Sequence, residues 1–287
     1  MPRPHVALAT ATSVTKNDFD EPPLLAALAR QGIDAQVLAW DDASHQAGFA
    51  GARLCVLRST WNYVQNHDRF VAWVKWCGEV TALWNPAPIV TWNSHKQYLL
   101  ELQARGIPIV PTQLVQRGDA TAEAVLDDAL ARWGTVVIKP AISAGSFGTI
   151  RVAAHERGVG QDHLTALLQE RDMLVQRYEP SVVDHGERSL IWIDGAFGHA
   201  IRKNARFSGD NEQVSNQAVA IADDERALAE RVLAAAPGPL LYARVDLVRD
   251  PAGQPQLMEL ELIEPSLFFD QHLESADRLA AAIARRM

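Results

Sequence analysis

The sequence predicts an α/β protein that begins with an open, mostly parallel β-sheet. Apolar runs typical of strands lie at residues 5–10, 33–40 and 52–60, and segments with the spacing of amphipathic helices follow the first and third of them. The first of these helices carries prolines near its start and stops at Gly32, a residue that readily adopts positive φ. Strands and helices in this order usually form a parallel sheet, which binds ligands beyond the carboxyl ends of its strands.

The composition is that of an ordinary globular protein and excludes several functional classes. Of the 287 residues, 48% are hydrophobic and 22% are charged, so a disordered chain is not expected. The formal charge of −8 and the pI near 5.6 argue against a general nucleic-acid binder, which needs a basic face. No uncharged apolar run reaches the ~18 residues of a membrane span. Neither nucleic acid nor a membrane is therefore a predicted partner.

The two cysteines, Cys55 and Cys77, show neither CxxC spacing nor a neighbouring histidine cluster. Buried reduced thiols are therefore expected rather than a structural disulfide or a zinc site. Residues 1–11 contain only a short apolar run, which is more typical of a first strand than of a secretory signal. We therefore expect a soluble protein of the cytoplasm.

Further helices and strands are predicted along the rest of the chain. The Pro-rich segment 85–94 is expected to be a linker, and a helix is expected to start at the N-cap Ser94 and to end at Gly106. The remaining predicted helices lie at 121–134, 222–236 and 274–286, and the remaining strands lie at 107–115, 135–140, 173–180, 187–195, 196–205, 242–250 and 256–264.

Polar side chains directly follow the third predicted strand. Arg58, Ser59 and Thr60 come at its carboxyl end, with two aromatic residues in the next positions. A cation and two hydroxyl groups at this edge of a parallel sheet suit an anionic or zwitterionic small ligand. A capped turn with structural aromatic residues would produce the same pattern, so the segment alone does not decide between the two.

Three carboxylates stand inside the last two predicted strands. Glu259 and Glu261 alternate with apolar residues and are ~7 Å apart, because a strand rises ~3.3 Å per residue. Two like charges at that spacing repel each other, and their burial requires a compensating cation. Turn residues at 250–255 predict a hairpin that would bring Asp246 to the same face. Such a site would suit Mg²⁺ or Mn²⁺ with a triphosphate completing the shell, whereas a solvent-exposed hairpin is the alternative.

Lys139 closes the apolar strand 135–140, so the tip of its side chain must reach a partner or water. Small residues follow it, including Ser143 and Ser146, and lead into another strand. Backbone N–H groups of such a loop can approach phosphate oxygens closely, with the lysine as a point charge. The loop lacks the GxxxxGK[ST] and GxGxxG spacings of phosphate-binding loops, so a flexible hairpin loop is an equal alternative.

The order of these pieces resembles that of the ATP-grasp ligases. In that family the same pieces follow one another along the chain. They are a lysine segment, a turn of the GIP-x-VPT type, a strand lysine with a small-residue loop, a hinge strand and two acidic strands. Residues 92–265 are similar to bacterial glutathione synthetases. The short ligases that form cycloserine are more similar still, on the segments RSTWNY, GSFGTIRV, GERS, GHAIRK and ELELIEPSLFF.

The resemblance implies an ATP-grasp fold with an N-terminal α/β substrate domain over 1–91, a central lobe over 92–174 and a C-terminal lobe over 175–287, the two lobes clasping ATP. The residues that it implies for ATP binding are Lys96, Lys139, Ser143, Ser146, Gln176, Arg177, Tyr178, Glu179, Glu187 and Lys203. Those implied for catalysis are Arg188, Arg202 and Arg244, those for metal binding are Asp246, Glu259 and Glu261, and those for the substrate are Arg58, Ser59, Thr60 and Ser266.

Two positions depart from the glutathione synthetase pattern. Glu261 stands where asparagine is usual, which keeps a metal site viable but argues against that enzyme's substrate. Arg244 replaces a small residue and adds a cation near the reacting carboxylate. Histidines such as His95, His185 and His199 are not needed as acids or bases, since an amine can lose its proton to a carboxylate or to water.

The implied function is an ATP-dependent carboxylate–amine ligase for an amino-acid-like small molecule, with two Mg²⁺ or Mn²⁺ ions and an acyl-phosphate intermediate. The amine belongs either to the same molecule, which closes a ring as in cycloserine formation, or to a second one, as in dipeptide and glutathione synthesis. A small-molecule kinase and a non-catalytic nucleotide sensor are the alternatives outside the ligase class. A homodimer is compatible with the sequence, and no motif decides it.

Overall fold

Three four-stranded β-sheets follow one another along the chain, each with helices packed on it. The computed structural model describes residues 5–14, 18–204 and 213–287. The strands are β1 (His5–Thr10), β2 (Asp34–Ala39), β3 (Leu54–Ser59), β4 (Ala82–Trp84), β5 (Thr112–Val115), β6 (Thr135–Pro140), β7 (Ile150–Ala153), β8 (Met173–Arg177), β9 (Glu187–Ile193), β10 (Ala196–Lys203), β11 (Tyr242–Arg249) and β12 (Pro255–Glu261). The helices are α1 (Glu21–Arg30), α2 (Gln46–Gly51), α3 (His67–Val80), α4 (Ala87–Asn93), α5 (Tyr98–Ala104), α6 (Ala122–Trp133), α7 (Arg157–Leu168), α8 (Ser181–Asp184), α9 (Asp223–Ala234) and α10 (Leu273–Ala284). None of the described helices is long and apolar enough to cross a membrane.

The first sheet is the open parallel sheet that the sequence predicts. Its strand order is β2-β1-β3-β4, and all of its pairings are parallel. Helices cover both faces, so every side chain of β3 is buried, which explains its unbroken apolar run. Helix α1 has its prolines in the first turn, and Gly32 follows it with a φ of 72°.

The second and third sheets are antiparallel and carry helices on their outer faces. The second has the order β5-β8-β6-β7 and packs on α6 and α7. The third has the order β10-β9-β11-β12 and packs on α9 through one face. Its other face packs in part on α10, and the rest of that face carries the charged side chains described below.

The segment predicted as a linker, 85–94, is a helix over most of its length. The prolines lie at the N-cap and in the first turn of α4, where a missing N–H costs nothing, and Ile89 and Val90 are buried. Ser94 therefore follows this helix and does not cap the next one. Its Oγ donates to the Thr91 carbonyl at 2.9 Å, and α5 starts further along the chain.

Helix α7 was not predicted, because two glycines weaken the helical pattern of its sequence. A Cβ at Gly160 would lie 2.9 Å from Val152 Cγ1, so the glycine allows the helix to pack closely on β7. The predicted boundary between residues 174 and 175 falls inside β8, which pairs with β5 and β6, so the second sheet continues to Arg177. The predicted strand 196–205 ends at Lys203, and its last predicted residue, Ala205, lies outside the described residues.

Candidate active site

The β11–β12 hairpin carries the three acidic residues that stand out in the sequence. Asp246 lies opposite Glu259, and Arg244 lies opposite Glu261. Residues two apart along a strand share a face, so these four side chains project from the same side of the third sheet. The opposite side packs on α9 through apolar residues. The predicted hairpin is present, and it places an arginine beside the acids.

Side chains from the preceding helices close the outer edge of β12. Asn93 Nδ2 donates to the Leu260 carbonyl at 2.8 Å, and Asn93 Oδ1 accepts from the Leu262 N–H at 2.8 Å. The Tyr98 hydroxyl accepts from the Leu260 N–H at 2.9 Å. These bonds satisfy main-chain groups that an edge strand would otherwise expose. The position of the acidic strand is therefore set by α4 and α5, a role that neither residue type signals in the sequence.

Asp246 is the most enclosed of these acids. Its side chain is 1% exposed, and it accepts from Lys203 Nζ at 2.9 Å and from Arg244 Nη2 at 2.8 Å. Burial by itself would raise the pKa of Asp246, but the two cations outweigh burial and hold that pKa well below its ordinary value. Lys203 also contacts Glu187, which lies opposite it on β9. Burial raises the pKa of Glu187 to about 7, against the effect of that lysine.

Glu259 links the hairpin to the second sheet across a cleft. Its Oε1 lies 3.0 Å from the Nζ of Lys96, which is in the turn between α4 and α5 and also donates to the Ser143 carbonyl at 2.9 Å. Burial would raise the pKa of Glu259, but Lys96 and then Lys139 hold it below its ordinary value. Burial lowers the pKa of Lys139 itself. Two lysines implied for phosphate binding therefore face the acidic strand.

The described residues contain no group of three His, Cys, Asp or Glu side chains placed to hold one metal ion as they stand. The ion pairs give the reason, since Asp246, Glu259 and Glu261 each contact a lysine or an arginine. The donor set itself fits Mg²⁺, because carboxylate oxygens are hard ligands and these three share one face. A divalent ion would bind to these carboxylates if the lysine and arginine side chains left them and paired with another anion.

The loop after β6 has a backbone suited to anions. Gly145, Ser146 and Gly148 have φ values of 62°, 61° and 65°. Ser146 is a non-glycine residue in this left-handed region, a conformation that side chains rarely adopt. Phe147, at the tip of the loop, is 52% exposed. Successive residues in such conformations form the concave sets of N–H groups that bind phosphate oxygens in other proteins.

The predicted hinge spans the end of β8 and the residues after it, and two of its polar side chains are buried. Gln176 is 2% exposed and donates to a threonine hydroxyl at 2.8 Å. Glu179 is 1% exposed and accepts from Arg177 Nε at 2.7 Å. The Tyr178 ring lies 5.4 Å from the guanidinium of Arg151. A nucleotide base at this strand end would therefore meet main-chain groups rather than Gln176 or Glu179.

Arg188 and Arg202 do not join the charged cluster, contrary to the expectation from the resemblance. They neighbour Glu187 and Lys203 in β9 and β10, and successive residues of a strand project to opposite faces. Arg188 Nε lies 3.7 Å from Glu225 of α9, and Arg202 donates to carbonyl groups in and just after α8. The two arginines hold helices to the back of the sheet.

Arg58 of β3 holds the loop after β12 to the first sheet by a hydrogen bond. Its Nη2 donates to the Pro265 carbonyl at 3.0 Å and to Asp20 Oδ2 at 3.2 Å. Asp20 in turn accepts from the main-chain N–H groups of Leu267 and Phe269. Arg58 Nε and Nη1 are buried without a partner among the described residues. The guanidinium therefore keeps donors for one further acceptor.

The other residues implied for the substrate have different surroundings, and only some of them lie near the charged cluster. Ser59 Oγ lies 2.8 Å from Thr10 Oγ1, so it is engaged within the first sheet. Thr60 Oγ1 is buried and has no partner among the described residues. The Ser266 carbonyl accepts from Arg244 Nη1 at 3.3 Å. Ser266 therefore lies next to the arginine of the charged cluster.

Two further contacts of this loop were not foreseen from the sequence. Trp61 Nε1 donates to the Glu264 carbonyl at 3.0 Å. The Tyr242 hydroxyl lies 2.7 Å from the Ile263 carbonyl and 2.9 Å from the Leu57 carbonyl. One feature of the sequence could have drawn attention to this loop. Glu264 is a third acid at the end of the ELELIEP segment, and it lies three residues after Glu261 instead of two.

Sequence comparisons identify the family to which the chain is similar. The family described as D-cycloserine synthetase DcsG, N-terminal domain, matches residues 6–85. The cycloserine biosynthesis protein DcsG of Streptomyces lavendulae is 34% identical over 296 residues, which cover 98% of this chain and 98% of that protein. The predicted resemblance to cycloserine-forming ligases is confirmed.

Solved structures extend the likeness to the whole fold. The crystal structure of D-cycloserine synthetase DcsG matches with a TM-score of 0.89 and 34% identity, and the match covers 98% of this chain and 99% of that chain. The RimK domain ATP-grasp protein of Sphaerobacter thermophilus DSM 20745 matches with a TM-score of 0.66 and 19% identity over 99% of both chains, a likeness that shows the fold alone. The predicted ATP-grasp fold is confirmed. The chain belongs to the D-cycloserine synthetase family of ATP-grasp proteins and is an ATP-dependent ligase.

Proposed function

We propose that this ligase joins a carboxylate to an amine of an amino-acid-like small molecule through an acyl phosphate, and that both groups belong to one molecule, so that a ring closes. The main support is the charged cleft, where cations from two lobes stand among acids of the third sheet. Its members are Lys96, Lys139, Lys203, Arg244, Asp246, Glu259 and Glu261. Ring closure is supported by the similarity to a protein that is named for D-cycloserine.

Asp246, Glu259 and Glu261 would hold Mg²⁺, for which we propose two ions, and Mn²⁺ would suit the same oxygen ligands. When bound, Mg²⁺ neutralises charge on the phosphate groups and polarises the one that is transferred. Lys96, which now contacts Glu259, would then turn to phosphate oxygens, and Arg244, which now contacts Glu261, would turn to the substrate carboxylate. This exchange keeps the buried face balanced, because each carboxylate gains a metal ion as it loses a lysine or an arginine.

The first step of the proposed reaction is phosphoryl transfer. An oxygen of the substrate carboxylate bonds to the γ-phosphorus of ATP while the bond from that phosphorus to the bridging oxygen breaks, which gives an acyl phosphate and ADP. Lys96 and Lys139 face the acidic strand across the cleft and would offset the charge of the transferring group. Arg244 lies between Asp246 and the Ser266 carbonyl, where it would hold the substrate carboxylate against the loop after β12.

The second step forms the amide bond. The substrate nitrogen attacks the carbonyl carbon, the bond from that carbon to the phosphate oxygen breaks, and inorganic phosphate leaves. The nitrogen gives its proton to a carboxylate or to water. An oxyamine nitrogen on the side chain of the same amino acid is the nucleophile that would close a cycloserine-type ring. Attack within one molecule avoids the loss of freedom that a second substrate would bring.

The test uses O-amino-D-serine, an amino acid with an oxyamine group on its side chain, together with ATP and Mg²⁺. We expect Mg²⁺-dependent release of ADP and phosphate, and a product whose mass equals the substrate minus one water. When the substrate carboxylate carries ¹⁸O, label should appear in the released phosphate, because the acyl phosphate is bridged by that oxygen. Asp246→Asn serves as the inactive control.

Three other results would overturn the proposal. A stable phosphorylated product would indicate a kinase, and a product that joins two substrate molecules would indicate an intermolecular ligase. ATP binding that is equal with and without Mg²⁺, with no ADP release, would indicate a nucleotide sensor.

A further inference from the structure

Glu264 lies near the start of the loop between β12 and α10, which Trp61 and Arg58 hold against the first sheet. Its carbonyl accepts from Trp61 Nε1 at 3.0 Å, and the next carbonyl, that of Pro265, accepts from Arg58. Its side chain, by contrast, accepts a hydrogen bond from its own backbone N–H and forms no ion pair with a lysine or an arginine that the structure describes. The main chain of Glu264 therefore has a structural role that its carboxylate does not share.

The carboxylate of Glu264 nevertheless lies among the charged groups of the cleft. Burial and then the charge of Glu264 raise the pKa of Tyr63. Burial and then the neighbouring Glu261 raise the pKa of Glu264 itself to about 8, and Lys96 offsets this only in part. The residue is half-buried, so it is not closed off from solvent.

Glu264 differs from the other acids of this cleft, because it contacts no lysine or arginine among the described residues. Those that contact a lysine or an arginine are Glu187, Asp246, Glu259 and Glu261. Ionisation of an enclosed carboxyl group beside other acids costs free energy, and Lys96 offsets that cost for Glu264 only in part. A ligand that brings a positive charge would remove this cost, and an ammonium group is the simplest group that does so.

We propose that Glu264 binds the ammonium group of the substrate and thereby makes the enzyme prefer an amino acid over the same acid without its amino group. This inference rests on the proposed function, because it assigns the substrate of the same site. The loop that carries Glu264 also carries the Ser266 carbonyl, which contacts Arg244. Glu264 and Arg244 would therefore bind the ammonium group and the carboxylate of a small zwitterion beside the same loop. Hydrogen bonds with Trp61, Arg58 and Asp20 fix the main chain of that loop.

The test compares O-amino-D-serine with 3-aminooxypropanoate, which differs in lacking the α-ammonium group. In the unchanged enzyme kcat/KM should be at least about 100-fold higher for the amino acid, since a site built around a charged group rejects an analogue that leaves it unpaired. In Glu264→Gln, kcat/KM for O-amino-D-serine should fall about 100-fold, while the value for 3-aminooxypropanoate stays within about threefold. The KM for ATP and the Mg²⁺ dependence should not change.

Two variants serve as controls. Glu264→Asp keeps the charge on a shorter side chain and should keep part of the preference for the amino acid. Glu230→Gln removes an exposed acid from α9 and should keep all of it.

The outcomes separate this inference from the proposed function. An unchanged preference in Glu264→Gln, or a higher Mg²⁺ requirement, would overturn the role of Glu264 and leave the ligase reaction intact. If the unchanged enzyme releases ADP with neither compound, the proposed substrate class fails, and the role of Glu264 fails with it.

Discussion

The two faces of the third sheet differ in what burial does for the protein. One face carries the charged side chains of four strands, with Asp246 at their centre. The other face packs Leu190, Val245 and Leu260 against Leu228 of α9. Burial of apolar surface stabilises the fold by about 25 cal/mol per Å², whereas burial of charges is unfavourable and ion pairs offset it only in part. The apolar face therefore holds the sheet together, and we infer that the charged face is retained for the reaction.

Asp246→Asn should show the largest difference between the two faces, with a large loss of activity and a retained fold. We expect kcat to fall about 1,000-fold or more, because an amide cannot supply the negative charge that binds Mg²⁺. Lys203 keeps its contact with Glu187 and Arg244 keeps Glu261, so the variant should still unfold cooperatively in urea. ADP release measures the first effect, and Asp223→Asn, at an exposed position of α9, is the matched control. Full activity of Asp246→Asn would remove the metal role of this face.

Leu228→Ala should give the opposite profile. Leu228 is 4% exposed in the apolar cluster between α9 and the sheet. The variant should lose about 2–5 kcal/mol of unfolding free energy, because it leaves a cavity in a packed core. Its kcat, measured below the unfolding temperature, should stay within about threefold of the original value. A large loss of kcat without a loss of stability would show that the two faces are not independent.

Glu264→Gln should stabilise the ligand-free protein in a way that depends on pH. The folded protein holds the proton of Glu264 up to a pKa of about 8, whereas the unfolded chain releases it near its ordinary pKa of about 4.5. The free energy of unfolding therefore falls as pH rises between these values, and glutamine removes this loss. We expect the gain from glutamine to be larger at pH 9 than at pH 6 by about 2 kcal/mol. An equal difference in Tm at both pH values would show that the carboxylate is not enclosed.

Arg188→Gln should have the smallest effect, because Arg188 lies on the apolar side of the sheet. Glu225 loses one partner, but it keeps His185 at 3.2 Å and Arg249 at 3.4 Å. We expect a loss of about 1 kcal/mol in unfolding free energy and a kcat within about twofold of the original. A loss of kcat comparable to that of Asp246→Asn, with an unchanged fold, would return Arg188 to the catalytic role that the resemblance implied.

The hairpin acids could be predicted because a strand has a strict period of two. Once Asp246, Glu259 and Glu261 were placed in strands around a turn, their common face followed. The same rule, applied to the neighbours of Glu187 and Lys203, would have excluded Arg188 and Arg202 from that face. Similarity to the family implied a catalytic role for those arginines and took no account of the alternation of faces along a strand. The structure places both on the opposite face of the sheet.

Other parts of the site could not be predicted, because they depend on contacts between distant segments. Asn93 lies in a Pro-rich stretch that resembles a linker, and its role appears only when α4 packs beside β12. Asp20 precedes a helix with prolines at its start and resembles a cap, yet it binds N–H groups of the loop after β12. Such contacts cross more than a hundred residues of chain, and no local pattern encodes them.

The amino-acid sequence by itself determined the class of the protein: alternating strands and helices, a lysine before a small-residue loop, and acids at strand spacing are local features that periodicity and residue chemistry specify. The tertiary structure decided which cation holds which acid, and it showed that Glu264 forms no ion pair among the described residues. Ion pairing depends on distances of a few ångströms between segments that meet only when the sheets pack, so it is a property of the fold and not of any one segment.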